Sequence, residues 1–387
     1  MALYGGIAQL ARAFGSYPNG HWFKSSCRYH FFDGSELFRS YSFGPLVKRL
    51  RHRPFTAVTG VRFSYGSPAR APARGVSFAG VFCLITRARD VGVLRMDLYK
   101  IGNIRDILER HGFHFSKALG QNFLTAAWVL QEITARSEID ESAGVLEIGP
   151  GMGCLTRELS RAAKRVVAVE VDAALLPVLD ETLAGCENVT VVHQDILKAD
   201  LPALVEEYFG GLRRLVCANL PYYITTPILT RLLESRLIDA ITVMMQKEVA
   251  LRLCAAPGTA DYGAFTVFVQ YYSEPEILFE VPRGCFVPQP KVSSAVVRLH
   301  VRKAPPVDVC DEALFFRVVR ASFAQRRKQL LNGLSAAFSA EWSKERLAEL
   351  LTQAGVDPRV RGETLSLARF ADIANVLYSA RKSAASC

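Results

Sequence analysis

From about residue 100 onward, short apolar runs alternate with segments whose apolar positions recur every three to four residues. In IGNIRDILERHG the apolar positions are Ile101, Ile104, Ile107 and Leu108, and the run stops at Gly112, so a short helix is expected. A second helix is expected over TAAWVLQEITARS. The chain then reads GVLEIG (strand), MGCLTRELSRAA (helix), RVVAVEV (strand), AALLPVLDETLA (helix), VTVVHQD (strand), RRLVCAN (strand), TPILTRLLES (helix) and DAITVMMQ (strand). Such alternation with short connections implies an α/β fold, a parallel sheet with helices on both faces. Its ligands should bind at the carboxyl ends of the strands. After SAVVRLHV, a last strand, only helical patterns remain: DEALFFRVVRASFAQRRKQLLNGL, SKERLAELLTQAG and SLARFADIANVLYSA. A three-part division follows: residues 1–95, a sheet domain over 96–301 and a small all-α domain over 302–387.

Residues 1–95 lack any sustained period and are crowded with aromatics, Arg, Ser and Gly. They could be a transit segment, a disordered nucleic-acid arm or sequence not normally translated. The third is preferred, because WFKSS (Trp22 to Ser26) back-translates to TGG-TTC-AAG-TCC, a string like the T-arm of a transfer RNA gene. Met96 is then the expected start. The gene's nucleotide sequence over these codons tests this.

Charge divides the chain the same way. Residues 1–95 hold 14 Lys and Arg against 3 Asp and Glu, residues 96–281 hold 16 against 25, and residues 282–387 hold 17 against 9. An acidic middle thus lies between basic ends, and a basic end suits a polyanionic partner. The nine cysteines form no CxxC pair and no Cys/His cluster, so neither a metal site nor a disulfide framework is expected. No apolar run approaches the roughly 18 residues of a membrane span, so no membrane association is expected.

The chemistry-bearing motifs fall at expected strand ends. In LEIGPGMGCLT, Gly149, Gly151 and Gly153 separate a strand from a helix, where absent side chains let a ligand reach backbone and helix terminus. The GxGxG spacing is similar to the nucleoside loop of S-adenosylmethionine-dependent methyltransferases rather than to a dinucleotide fingerprint. Glu170, 21 residues after Gly149, can accept both hydroxyls of a ribose; Asp195, one strand over, can accept an adenine amine. Each alone could be a solvated acid. NLPYYI follows the fourth strand, and although Asn-x-Pro is ordinary turn chemistry, it opens on the same crevice. There the Asn219 side-chain oxygen and the Leu220 carbonyl can accept the protons of an adenine N6 amine. Pro221 fixes the turn, Tyr222 can stack on the base, and Tyr223 and Ile224 are expected in the core. No strong general base is required, because positioning does most of the work.

In order, LGQNFL (Leu119 to Leu124), EIGPGMGCLT, Glu170, Asp195, NLPYYI, QKEVALRL, FVPQPKVSSAVVRL and FAQRRKQLLNGL make residues 97–380 resemble the small-subunit ribosomal RNA adenine dimethyltransferases, the family whose loss confers kasugamycin resistance. The resemblance implies a Rossmann-like methyltransferase sheet, S-adenosylmethionine as cofactor and a monomeric, cytoplasmic enzyme. Its expected substrate is two adjacent adenines in the 3′-terminal hairpin loop of 16S RNA, dimethylated at N6 within the immature 30S subunit, late in its biogenesis. It places Asn122, Leu124, Gly149, Gly151, Glu170, Val171, Asp195, Ile196 and Asn219 around the cofactor. Asn219, Leu220, Pro221 and Tyr222 fall at the target amine, with Phe286 as a second aromatic wall. Arg320, Arg326, Arg327 and Lys328 are the expected RNA-phosphate contacts, the last three spread around one helix. Two alternatives stand beside this. One is the related large-subunit enzyme of macrolide resistance; the other is a non-catalytic assembly or mitochondrial transcription factor using the fold only to bind nucleic acid.

Overall fold

Apolar strands buried on both faces organise the protein. The computed structural model describes residues 98–113 and 122–385. Expectations for residues 1–95 and Met96, and for Leu119, Gly120 and Gln121, lie outside them. After α1 (Ile101–Arg110), the short β1 (Phe123–Leu124) and α2 (Ala127–Arg136), the chain enters the sheet with β2 (Ala143–Ile148). It continues through α3 (Cys154–Ala162), β3 (Arg165–Glu170), α4 (Leu176–Thr182), β4 (Val189–His193), α5 (Leu201–Phe209), β5 (Arg213–Asn219), α6 (Thr225–Ser235) and β6 (Ala240–Gln246). Then follow α7 (Lys247–Leu253), α8 (Ala264–Tyr272), β7 (Ser273–Val281), β8 (Phe286–Val287) and β9 (Ser294–Val301).

The strand order is β4-β3-β2-β5-β6-β9-β7. The sheet is therefore mixed rather than wholly parallel. β2 to β6 run parallel, whereas β9 runs antiparallel to both β6 and β7. The cause is the connection: residues 282–293 hold the two-residue β8 and no α-helix that could cross over the sheet, so the chain turns back and the pair is antiparallel. α5 is also additional to the elements read from the sequence, which passed from strand to strand here. A parallel β4 to β5 crossover needs a helix, and its start is marked by Asp200, whose carboxylate accepts from Ala203 N, and by a proline in the first turn.

Alternate strand residues feed two cores. Val145 and Val166 join α1 to α4 on one face, while Leu146, Val167 and Val169 join α5, α6 and α8 on the other. The second cluster continues without a break into α9 (Glu312–Phe323), α10 (Leu330–Ala337), α11 (Lys344–Gln353) and α12 (Leu367–Ala385).

One helix expectation is corrected in this region. Arg326 and Arg327 lie in a turn and Lys328 in a bend between α9 and α10, not on a continuous helix. The two helices approach so closely that a Cβ on Gly333 would stand 2.4 Å from the Ala321 carbonyl oxygen. That contact requires the chain to reverse between them, and Gln329 is extended while Leu330 N donates to Val360 O at 2.7 Å.

Candidate active site

At the carboxyl ends of β2, β3 and β5, and just beyond β4, the strand-end loops enclose a crevice of about 1100 Å³, counted to its open mouth. Every residue expected around the cofactor lines it: Asn122, Leu124, Gly149, Gly151, Glu170, Val171, Asp195, Ile196 and Asn219. So do Leu220, Pro221 and Tyr222.

The glycine loop divides its work. Gly149, Gly151 and Gly153 all have left-handed φ, of 69°, 60° and 78°. A Cβ on Gly151 would press the Phe123 ring at 3.0 Å, and one on Gly153 would meet Leu183 at 2.9 Å, so those two serve packing. Nothing stands within 4 Å of a Cβ on Gly149, which leaves the space beside its Cα open to a ligand, while its N–H donates to the Val169 carbonyl at 2.9 Å.

Glu170 is the last residue of β3 and is 4% exposed. Burial raises its pKa, opposed by the backbone N–H groups of Asp172, Gly151 and Val171; Asp172 N donates to Oε1 at 2.8 Å. The carboxylate is thus fixed in place before any ligand arrives. Asp195 stands two residues beyond β4, in the following loop rather than within the strand. It is partly engaged, since Oδ1 accepts from Leu197 N at 3.0 Å and Oδ2 lies 3.6 Å from Lys198 Nζ.

Asn219 ends β5 and lines the crevice, and its Nδ2 donates to the Asn122 carbonyl at 3.4 Å, which leaves Oδ1 to act as an acceptor. Leu220 N donates to Met244 O at 3.1 Å, tying the motif to β6. The Pro221 carbonyl accepts from Ile224 N at 3.2 Å and Thr225 Oγ1 at 3.1 Å, which closes the turn. Tyr222 is half-buried, and its hydroxyl shares a 2.7 Å hydrogen bond with Ser294 Oγ at the start of β9. Burial raises the Tyr222 pKa, so the phenol stays protonated.

Two side chains depart from expectation. Tyr223 is not in the core; it is 56% exposed at the crevice wall, because the turn points it outward while Ile224 packs inward. Phe286 pairs with Leu124 across the β1–β8 ribbon, yet its ring is 2% exposed, packed in the core cluster that holds Phe123, and absent from the crevice wall. Of the cationic residues, Arg326 donates to Ala260 O at 2.7 Å and Tyr262 O at 3.1 Å and pairs with Glu363, so it fastens the turn to a neighbouring loop. Arg320, Arg327 and Lys328 are exposed.

Sequence reasoning missed two groups here. Glu147, the penultimate residue of β2, is buried in the crevice wall, and desolvation pushes its pKa to about 8. The Thr156 hydroxyl is close enough to oppose this, but neither its Oγ1 nor Glu147 Oε2 has a partner of hydrogen-bond geometry. A lone acid in an apolar strand directly before GxGxG was the available signal. Ser294 gave none, since a serine opening a strand is commonplace.

A family model described as Ribosomal RNA adenine dimethylase matches residues 112–379. The chain belongs to that family. It is therefore an S-adenosylmethionine-dependent ribosomal RNA adenine dimethyltransferase. It is 52% identical over 284 residues to Ribosomal RNA small subunit methyltransferase A of Geobacillus kaustophilus (strain HTA426), covering 73% of this chain and 97% of that protein. The same enzyme of Bacillus mycoides (strain KBAB4) gives 52% over 284 residues, with the same coverage. Among solved structures, a dimethyladenosine transferase from Plasmodium falciparum superposes with a TM-score of 0.57 at 24% identity, over 68% of this chain and 98% of that one. The 23S rRNA methyltransferase ErmE does so with 0.52 at 28% identity, over 66% and 99%.

Proposed function

We propose that the protein dimethylates the N6 amines of two adjacent adenines in the 3′-terminal loop of small-subunit ribosomal RNA, within the immature subunit. The observation that carries this reading is 52% identity, over 97% of its length, to a relative named for the small subunit, against 28% to the large-subunit enzyme ErmE.

The residues fit the cofactor. Gly149 leaves space beside its Cα, Glu170 presents a pre-fixed carboxylate suited to the ribose hydroxyls, and Asp195 retains an oxygen suited to the adenine amine. S-adenosylmethionine supplies an electrophilic methyl group. The acceptor, an adenine amine, is a weak nucleophile because its lone pair is delocalised into the ring. Asn219 Oδ1 and the Leu220 carbonyl accept its protons and turn the lone pair out of the ring plane. Tyr222 stacks on the extruded base, and its Ser294 bond holds the ring in place beforehand. Residues 96–301 carry the catalysis, while 302–387 grip RNA phosphates through Arg320, Arg327 and Lys328, with Arg326 fixing the turn that presents the last two. A monomer in the cytoplasm completes the reading.

Primer extension on ribosomal RNA from cells with and without the gene tests this. The expected result is a stop in small-subunit RNA near its 3′ end that vanishes without the gene. A stop in large-subunit RNA instead would favour the ErmE-like reading.

A further inference from the structure

Most cations in the described sheet domain are engaged. Arg105, Arg110, Arg136, Arg161, Arg213, Arg236, Lys247, Arg252, Arg298 and Arg302 each pair with a carboxylate, and Arg231 donates to two carbonyls. Among the described residues up to Lys303, the side chains with neither an ion pair nor a hydrogen bond are Lys164, Arg165, Arg214, Lys303, Arg283 and Lys291.

Topology sorts these six. Lys164 and Arg165 open β3, Arg214 is the second residue of β5, and Lys303 follows β9 where that strand pairs with the start of β6. All four stand at the amino ends of the parallel strands, away from the crevice. Arg283 and Lys291 lie in the connection from β7 to β9. Val281 pairs with Ser294, and Ser294 with Gln246, so this connection sits at the carboxyl end of β6. Both side chains are exposed.

The connection is fastened to the acceptor site at two points. Phe286, three residues after Arg283, pairs with Leu124, and Thr125 N donates to the Cys285 carbonyl at 2.9 Å. Ser294, three residues after Lys291, holds the Tyr222 hydroxyl at 2.7 Å. Three residues of chain reach at most about 11 Å, so the Cα of each cation lies within that distance of the Cα of Phe286 or Ser294. The nearest acid in sequence, Glu280, is already paired with Lys247 at 2.7 Å. In a domain where acids outnumber bases, these are the two unpaired cations, among the described residues up to Lys303, that the topology puts on the carboxyl-end side of the sheet, the side that holds the crevice.

We propose that Arg283 and Lys291 bind the RNA phosphates on either side of the extruded adenine, a contact separate from the grip at the α9–α10 turn. This rests on the proposed RNA substrate. An extruded base leaves its flanking phosphates at the crevice mouth, and single-stranded phosphates are held by exposed Lys and Arg with a marked salt dependence.

The test compares the full-length wild type with Arg283→Gln/Lys291→Gln and with the charge-retaining Arg283→Lys/Lys291→Arg. Methyl transfer to undermethylated small subunits is followed from 50 to 200 mM salt, beside filter binding to protein-free small-subunit RNA. Removing both charges should raise KM for the subunit about tenfold. It should also make the log–log salt slope shallower by about 1.4, near 0.7 for each lost single-strand phosphate contact. The maximal rate and cofactor affinity should stay within about twofold of wild type, and the charge-retaining variant should keep the wild-type slope. An unchanged KM and slope in the Gln variant would overturn the proposal, as would an equal loss in both variants. A wild type that transfers no methyl would overturn the substrate reading instead, while the binding slope would still decide on the two cations.

Discussion

The strand-end crevice and the α9–α10 turn both carry proposed functional residues, but they hold them in opposite ways. In the crevice the three groups given to the chemistry are each held by a partner: Glu170 by the Asp172 N–H, Asn219 by the Asn122 carbonyl, Tyr222 by Ser294. On the turn, Arg327 and Lys328 project into solvent, and only Arg326 is anchored. Chemistry that depends on a lone pair's direction needs the first arrangement, whereas attraction for a polyanion needs only charge at roughly the right place. Crevice substitutions should therefore cost rate abruptly, and turn substitutions should cost affinity gradually and in proportion to salt.

The sharpest break should come from Asn219→Ala. Single-turnover rates should fall about 1000-fold, because the amine loses its aligning acceptor, while calorimetry should find cofactor affinity within about threefold of wild type. Equal loss of both would show that Asn219 serves the cofactor instead. Next, Glu170→Ala should weaken cofactor binding about 100-fold, as two hydrogen bonds to a charged acceptor are removed. A change below threefold would return Glu170 to the role of a strand-end acid. Tyr222→Phe and Ser294→Ala should each lower kcat/KM about tenfold. Their double variant should be no worse than either single, since both remove one bond. Arg327→Ala/Lys328→Ala should raise KM for the subunit only about fivefold, an effect that fades as salt rises.

A smaller test concerns stability. Glu147 has its pKa pushed from 4.5 up to about 8 by burial, so the folded protein holds that proton more tightly than the unfolded chain. This contribution is complete below about pH 4.5 and is lost as pH rises through about 8. Glu147→Gln should therefore raise Tm by about 5 °C at pH 8.5, with much less change at pH 5. Equal shifts at both pH values would mean that Glu147 is ionised in the fold.

The crevice was far more legible in the sequence than the turn, and the reason is geometric. Strand ends follow from apolar runs, and a parallel sheet brings all such ends to one side, so Gly149, Glu170 and Asn219 could be gathered without coordinates. What periodicity cannot show is where a helical pattern folds back. No glycine or proline interrupts FAQRRKQLL to mark a stop, and the close approach of Gly333 to Ala321 is what reveals the reversal. Nor does it show which rings face out: Tyr223 and Phe286 exchanged their expected environments because turn direction and ribbon pairing, not residue type, set their exposure. The reversed β9 was hidden for a similar reason, since strand direction depends on connection length rather than strand composition.

The most direct test of the central claim is reconstitution. Purified full-length protein, isotopically labelled S-adenosylmethionine and small subunits lacking the modification are incubated, and the 3′ fragment of the RNA is analysed by mass spectrometry. Four methyl groups on two adjacent adenines, absent with Asn219→Ala, is the predicted result. Small-subunit RNA that stays unmodified, or that carries the label away from those two adenines, would contradict it.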